Sequence, residues 1–209
     1  MTNTHPIATR GGKRRRSPLK PIAGILLRVI GWKVEGVLPD VDKLVIIVAP
    51  HTSNWDLPIG YIVGHALELL STWRYGFMAK DSAFKWPLGI LIRWMGGIPI
   101  DRSSPQNVVE QMVAAFQHHD RLMLAITPEG TRSRTRYWKS GFYHIAAGAK
   151  APIVLAFLDY KRRVGGLGPI ITPSGNIAAD MDIIREFYSG VTARHPELAG
   201  EIRFKPEAY

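Results

Sequence analysis

Three short apolar runs constrain this chain most: Leu44–Ala49, Leu122–Ile126 and Pro152–Leu158. Each is continuous rather than alternating, as expected of a strand buried on both faces of a sheet. Between them lie stretches with helical spacing. Leu57–Leu70, Phe84–Met95 and Phe142–Ala149 are apolar, and Pro105–His119 carries Val108, Val109, Met112, Ala115 and Phe116 at helical offsets. Strands that alternate with helices pack as a parallel or mixed sheet with helices on its faces. The expected fold is therefore a single α/β domain built on a mixed, largely parallel sheet. A length of 209 residues, 46% hydrophobic and 21% charged, suits one globular domain with a substantial core.

Weaker signals complete the pattern. Trp32–Gly36, Arg74–Ala79 and Gly168–Ile171 read as short strands, Ile202–Phe204 as a last edge strand, and Asp180–Tyr188 as a final helix. Gly96-Gly97 is placed to end the helix before it. The organisation expected is a disordered basic tail over residues 1–17, an interfacial helix over 18–32 and the main domain over 33–209.

The chain contains no cysteine, which excludes disulfides, a thiol nucleophile and cysteine-containing metal sites. Its formal net charge is +10, of which Arg10, Lys13, Arg14, Arg15, Arg16 and Lys20 supply six units with no acid among them. Such a tail attracts anionic lipid head groups or nucleic acid. No run reaches the roughly 18 apolar residues of a membrane-spanning helix. Ile22, Ile25, Leu26, Val29 and Ile30 instead fall on one helical face, next to basic residues and ahead of Trp32. That combination predicts an amphipathic helix lying on a membrane surface. An ordinary core helix behind a disordered tail is the plainer alternative.

Polar segments follow the apolar runs, and strand ends are where an α/β sheet opens a crevice. His51-Thr52-Ser53-Asn54-Trp55-Asp56 follows the first run, and Thr127-Pro128-Glu129-Gly130-Thr131-Arg132-Ser133 follows the second. Asp101-Arg102-Ser103 follows Ile98-Pro99-Ile100. In a parallel sheet all three would share one edge. A histidine with a nearby carboxylate can have its tautomer fixed by that carboxylate, leaving the other nitrogen to accept a proton. With no serine or cysteine nucleophile motif beside it, the pair suggests that the substrate's own hydroxyl is the nucleophile, as in a triad whose serine is replaced by an acceptor alcohol. A pre-activated acyl donor such as a thioester fits that scheme. Arg102 and Arg132 are candidate phosphate anchors, because guanidinium is always charged and binds oxyanions in pairs of hydrogen bonds. Gly130 would let a ligand approach the backbone closely, and Glu129 could bind a substrate hydroxyl or orient an arginine. Taken alone, His51 with Asp56 is also compatible with a helix-capping aspartate beside an exposed loop histidine, and Asp101-Arg102 with a surface ion pair.

The blocks together resemble the lysophosphatidate and glycerolipid acyltransferases. His51–Asp56 resembles that family's histidine-x4-aspartate block, Gly96–Ser103 its second block, Pro128–Ser133 its third and Ala151–Phe157 its fourth, in the same order over about residues 30–160. Pro99 stands where a bulky apolar residue is usual, which bears on the acceptor. The resemblance implies an α/β domain that works on a membrane surface. It implies transfer of a fatty acyl group from acyl-CoA or acyl carrier protein to a hydroxyl of a lysophospholipid, above all 1-acylglycerol-3-phosphate. It implies His51 as general base, Asp56 as its partner, and Arg102, Glu129, Gly130, Thr131 and Arg132 as acceptor-binding residues. It further implies no metal or cofactor beyond the acyl carrier, anionic lipid as partner, and a peripheral place on the cytoplasmic face of a membrane.

Other residues have plainer expectations. His118-His119 reads as an exposed helix end, since adjacent helical side chains diverge. His65 and His144 read as core-boundary residues and His195 as part of a polar loop. Arg132, Arg134, Arg136 and Lys139, interleaved with Tyr137 and Trp138, could bind single-stranded nucleic acid. A loop with Trp138 at head-group level explains them equally well, and no nucleic-acid partner is expected. Trp86 and Trp94 fit a core, an acyl-chain groove or a membrane face. An amino-lipid or glycolipid acceptor, or hydrolysis by the same base, are the remaining alternatives.

Overall fold

A computed structural model describes residues 17–94, 96–101 and 105–206. Helix α1 (Lys20–Val29) leads into the short strand β1 (Lys33–Glu35), then β2 (Lys43–Val48), α2 (Asp56–Ala66), α3 (Leu69–Thr72) and β3 (Arg74–Lys80). A 3-10 turn over Asp81–Phe84 precedes α4 (Leu88–Trp94), β4 (Gly97–Ile100), α5 (Pro105–His118) and β5 (Leu122–Ile126). Then come α6 (Gly141–Gly148), β6 (Ile153–Asp159), β7 (Val164–Ile171) and α7 (Ile177–Ser189).

The strands form one sheet in the order β1-β7-β6-β2-β5-β3-β4. From β6 to β4 every pairing is parallel, whereas β7 runs antiparallel to β6 and carries β1 parallel to itself. The three apolar runs are the three central strands. Val45 of β2 lies opposite Leu124 of β5 on one side and Ile153 of β6 on the other.

Alternation along β2 divides the core between the two faces. Val45 and Ile47 join Met112 and Phe116 of α5, Phe142 and Ile145 of α6, and Met181 and Ile184 of α7 in one cluster. Leu44 and Ile46 face the other way, against Leu69 and Trp73. A smaller cluster ties Leu27 of α1 and Trp32 to Ile59 and Val63 of α2. These central side chains are almost wholly buried, each worth roughly 1.5–3 kcal/mol relative to exposure.

The β2–β3 connection packs α3 on one face of the sheet and the β5–β6 connection packs α6 on the other. The connections diverge at adjacent strand ends, and that divergence opens a crevice at the carboxyl edge of the sheet.

Several boundaries differ from expectation. The Leu57–Leu70 helix breaks at Glu68, whose φ of 62° is left-handed, so a separate turn forms α3. The Phe84–Met95 helix begins only at Leu88, because the residue before Pro87 is disfavoured in helical backbone. Gly97–Ile100 is an additional edge strand, where Pro99 is tolerated because one ladder side is open. Ile202–Phe204 is not a strand. Its apolar signal comes from Phe204, which is buried with its ring centroid 5.7 Å from that of Phe142.

Candidate active site

The turn after β2 folds back on itself around a single carboxylate. Asp56 Oδ2 accepts hydrogen bonds from the Thr52 and Ser53 amides, both at 2.9 Å, and lies 2.9 Å from His51 Nδ1. The helix-capping alternative does not apply to Asp56. It is instead the first residue of that helix, and its side chain caps the preceding turn. The Tyr160 hydroxyl donates to Asp56 Oδ1 at 2.6 Å. The Asp56 side chain is 4% exposed and that of His51 22%, so the carboxylate is enclosed while the imidazole reaches the surface. Burial pushes the Asp56 carboxyl up, but the bonds from His51, Tyr160 and the Ser53 amide outweigh it and hold it below its ordinary value. With Asp56 on Nδ1, the imidazole carries its proton there and Nε2 is left as the acceptor.

The turn after β5 docks on the same loop. Glu129 Oε1 accepts from the His51 amide at 3.1 Å, so adjacent strand ends are joined by a buried side chain. Its Oε2 is buried with no partner among the described residues. Burial raises the Glu129 carboxyl to about 7, and the negative Asp56 adds to the rise. Gly130 has a φ of 66°, a left-handed conformation that glycine adopts without strain. The Ser133 amide donates to Thr131 Oγ1 at 3.2 Å, and Thr131 and Arg132 are exposed.

Both turns line one open cleft of about 2540 Å³. His51, Asp56, Gly130 and Arg132 all contribute to its wall. Much of the rest of its wall is apolar, including Leu57, Leu67, Leu70 and Ile92. A proton acceptor, a cationic side chain and apolar side chains thus line one space.

The sequence pattern of the acyltransferase family matches residues 33–156, more than half of the chain and including both of these turns. The chain belongs to the acyltransferase family. Among curated proteins none matches it at a significant level. Among solved structures, the 1-acyl-sn-glycerophosphate (LPA) acyltransferase PlsC from Thermotoga maritima is similar in fold. Its TM-score is 0.54 at 14% identity, over 84% of this chain and 79% of that one.

In this acyltransferase the expected residues converge only in part on described structure. His51, Asp56, Glu129, Gly130, Thr131 and Arg132 stand at adjacent strand ends as the spacing predicted. Arg102 and Ser103 lie outside the described residues, while Asp101 follows β4 at the same edge. The basic tail likewise falls outside them, apart from Ser17. Trp138 is not at head-group level: it is 3% exposed and packed among Phe142 and Tyr188. Trp86 and Trp94 are not core, being 84% and 80% exposed. His144 is exposed rather than at the core boundary, whereas His65 does sit there, with its Nδ1 3.2 Å from Ser17 Oγ.

The sequence reading missed Tyr160 and Tyr188. Tyr160 stands 104 positions from the aspartate it touches, just past β6. Tyr188 on α7 donates to the carbonyls of Ile47 and Ala156, at 3.1 and 2.9 Å, bracing the ends of β2 and β6 beneath the site. A lone tyrosine at the end of a strand or helix has no spacing signature, so only the fold reveals either contact.

Proposed function

We propose that this acyltransferase moves a fatty acyl group from acyl-CoA or acyl carrier protein to the free hydroxyl of a lysophospholipid. The preferred acceptor is 1-acylglycerol-3-phosphate and the product phosphatidic acid. The observation that carries the proposal is the His51–Asp56 pair opening on the same cleft as Arg132.

His51 Nε2 takes the proton of the acceptor hydroxyl as its oxygen attacks the thioester carbonyl. Asp56 stabilises the imidazolium that forms. The tetrahedral intermediate then collapses, the C–S bond breaks, and the departing thiolate receives the proton from the imidazolium. An ester and a free thiol result, with no covalent enzyme intermediate. A positioned base of this kind contributes about 10²–10⁴-fold in rate. Arg132, with Arg102, anchors the acceptor phosphate. Gly130 and Thr131 shape the turn that receives it, and Glu129 holds that turn against the His51 loop by accepting the His51 amide. The apolar part of the cleft wall takes an acyl chain.

Helix α1 supports action at a membrane surface. Ile22, Ile25, Leu26, Val29 and Ile30 are all exposed, while Ala23 and Leu27 face the protein. Arg28 and Lys20 flank that apolar face. Among the described residues no helix is long and apolar enough to cross a membrane. The reading is peripheral attachment to anionic lipid on the cytoplasmic face, with α1 lying in the head-group layer.

The test combines purified protein, acyl-CoA or acyl carrier protein, and a panel of lyso-lipids on vesicles, with products identified by mass spectrometry. The expected product is phosphatidic acid. His51→Ala should abolish it with the fold intact, and Arg132→Ala should raise the KM for the acceptor more than that for the thioester. An acylated amino-lipid or glycolipid would reassign the acceptor, and free fatty acid alone would make the enzyme a hydrolase. A folded, fully active His51→Ala protein would remove the base.

A further inference from the structure

Tyr160 lies beyond the family-matched segment, immediately after β6. Its hydroxyl donates to Asp56 Oδ1 at 2.6 Å, on the oxygen that His51 does not use. One backbone bond and two ring contacts hold the residue. Its amide donates to the Thr192 carbonyl at 2.9 Å. The Trp32 ring meets it edge-on with centroids 5.1 Å apart. The Arg194 guanidinium lies 5.7 Å from its centroid on another side and also faces Trp55 at 5.9 Å. Burial and the adjacent Asp56 carboxylate raise the Tyr160 hydroxyl well above its ordinary value, so it remains a proton donor across the working pH range.

We propose that Tyr160 is a positioning residue for the proton-accepting pair: it holds Asp56 in plane with the imidazole and sets how strongly that carboxylate pulls on the Nδ1 proton. The inference rests on reading His51 as the base. A carboxylate that shares its charge with a phenol donor is a weaker acceptor toward its other partner. Removing the hydroxyl makes Asp56 pull harder, stabilises the imidazolium, and shifts loss of activity to higher pH. Among the described residues, the charged and titratable groups beside this pair are Glu129 from the β5 turn and Arg194 and His195 from the segment after α7, and all three remain in place in the variant. Trp32 follows α1 directly, so the ring that fixes Tyr160 belongs to the segment carrying the exposed apolar helix.

The test is Tyr160→Phe, which keeps the packed ring. The expected result is a fall in kcat of about tenfold, the lower range for one charge-assisted hydrogen bond, with both KM values unchanged. The acidic limb of the pH–rate profile should move upward, and the His51 Nδ1–H proton resonance should move downfield. Replacing Tyr160 with 3-fluorotyrosine, a more acidic and stronger donor, should move limb and resonance the opposite way. A merely structural tyrosine would leave both where they are, and unchanged values in a folded Tyr160→Phe protein would overturn the proposal. The resonance is read without turnover. A displaced resonance alongside an active His51→Ala protein would therefore refute the base assignment and leave the Tyr160 link standing.

Discussion

Glu129 offers the sharpest quantitative test of how the two turns are held together. It is 6% exposed, its Oε1 receives the His51 amide, and its Oε2 has no partner among the described residues. Burial raises its carboxyl from 4.5 to about 7. Between those values the folded protein holds a proton that the unfolded chain has released, so stability falls as pH rises through that window and levels off above it. At about 1.4 kcal/mol per pH unit, the loss is about 3 kcal/mol. Glu129→Gln keeps an oxygen for the His51 amide and cannot ionise. Near pH 4.5 the two proteins should be of similar stability, and by pH 8 the variant should be more stable by about 3 kcal/mol. Urea unfolding at half-unit steps from pH 4.5 to 8.5, with m-values compared, measures the difference directly. A difference that stays flat across that range would show that Glu129 is hydrated or charge-paired in solution, and the enclosed link between the strand ends would be wrong.

Three further outcomes follow from the same contacts. Asp56→Asn leaves the turn amides and Tyr160 facing an amide in place of a carboxylate and should destabilise the fold by about 1–3 kcal/mol, measurable by thermal or urea unfolding, along with a severe loss of turnover. Because the Asp56 carboxyl is held below its ordinary 3.8, its contribution to stability is present above that value and is lost as pH falls through the lower folded value; the acid-unfolding limb of Asp56→Asn should be correspondingly shallower. Gly130→Ala forces a β-carbon onto a φ of 66° and should cost about 1 kcal/mol, with a raised KM for the acceptor if the turn binds it. Ile25→Glu with Val29→Glu places charges on the exposed face of α1 and should weaken sedimentation with anionic vesicles without lowering Tm, since neither side chain is in the core.

Much of the site was legible because its information is local. His51, Asp56, Glu129, Gly130 and Arg132 lie within two short segments, and each segment ends an apolar run that hydrophobicity alone identifies as a central strand. A buried strand must run until its polar residues begin, so chemistry at strand ends follows from the pattern. The placement of the two segments side by side also follows once those runs pair in parallel. Other features depended on who packs against whom. Trp138 reads as an interfacial aromatic among arginines, yet it faces inward because the segment bearing it crosses α6 and α7. Trp86 and Trp94 have the composition of core residues, yet α4 lies at the rim where nothing described covers them. Phe204 carries an apolar signal that becomes a plug against Phe142 rather than a strand.

The sequence by itself determined the central strands, the helices between them and the two chemical segments, because periodicity and turn chemistry act over a few residues. Only the tertiary structure decided which oxygen of Asp56 serves His51 and which serves Tyr160, and that Glu129 is enclosed beneath the histidine loop. Those contacts join residues 78 and 104 positions apart. Burial and hydrogen-bond geometry at such separations exist only once the sheet has closed around them.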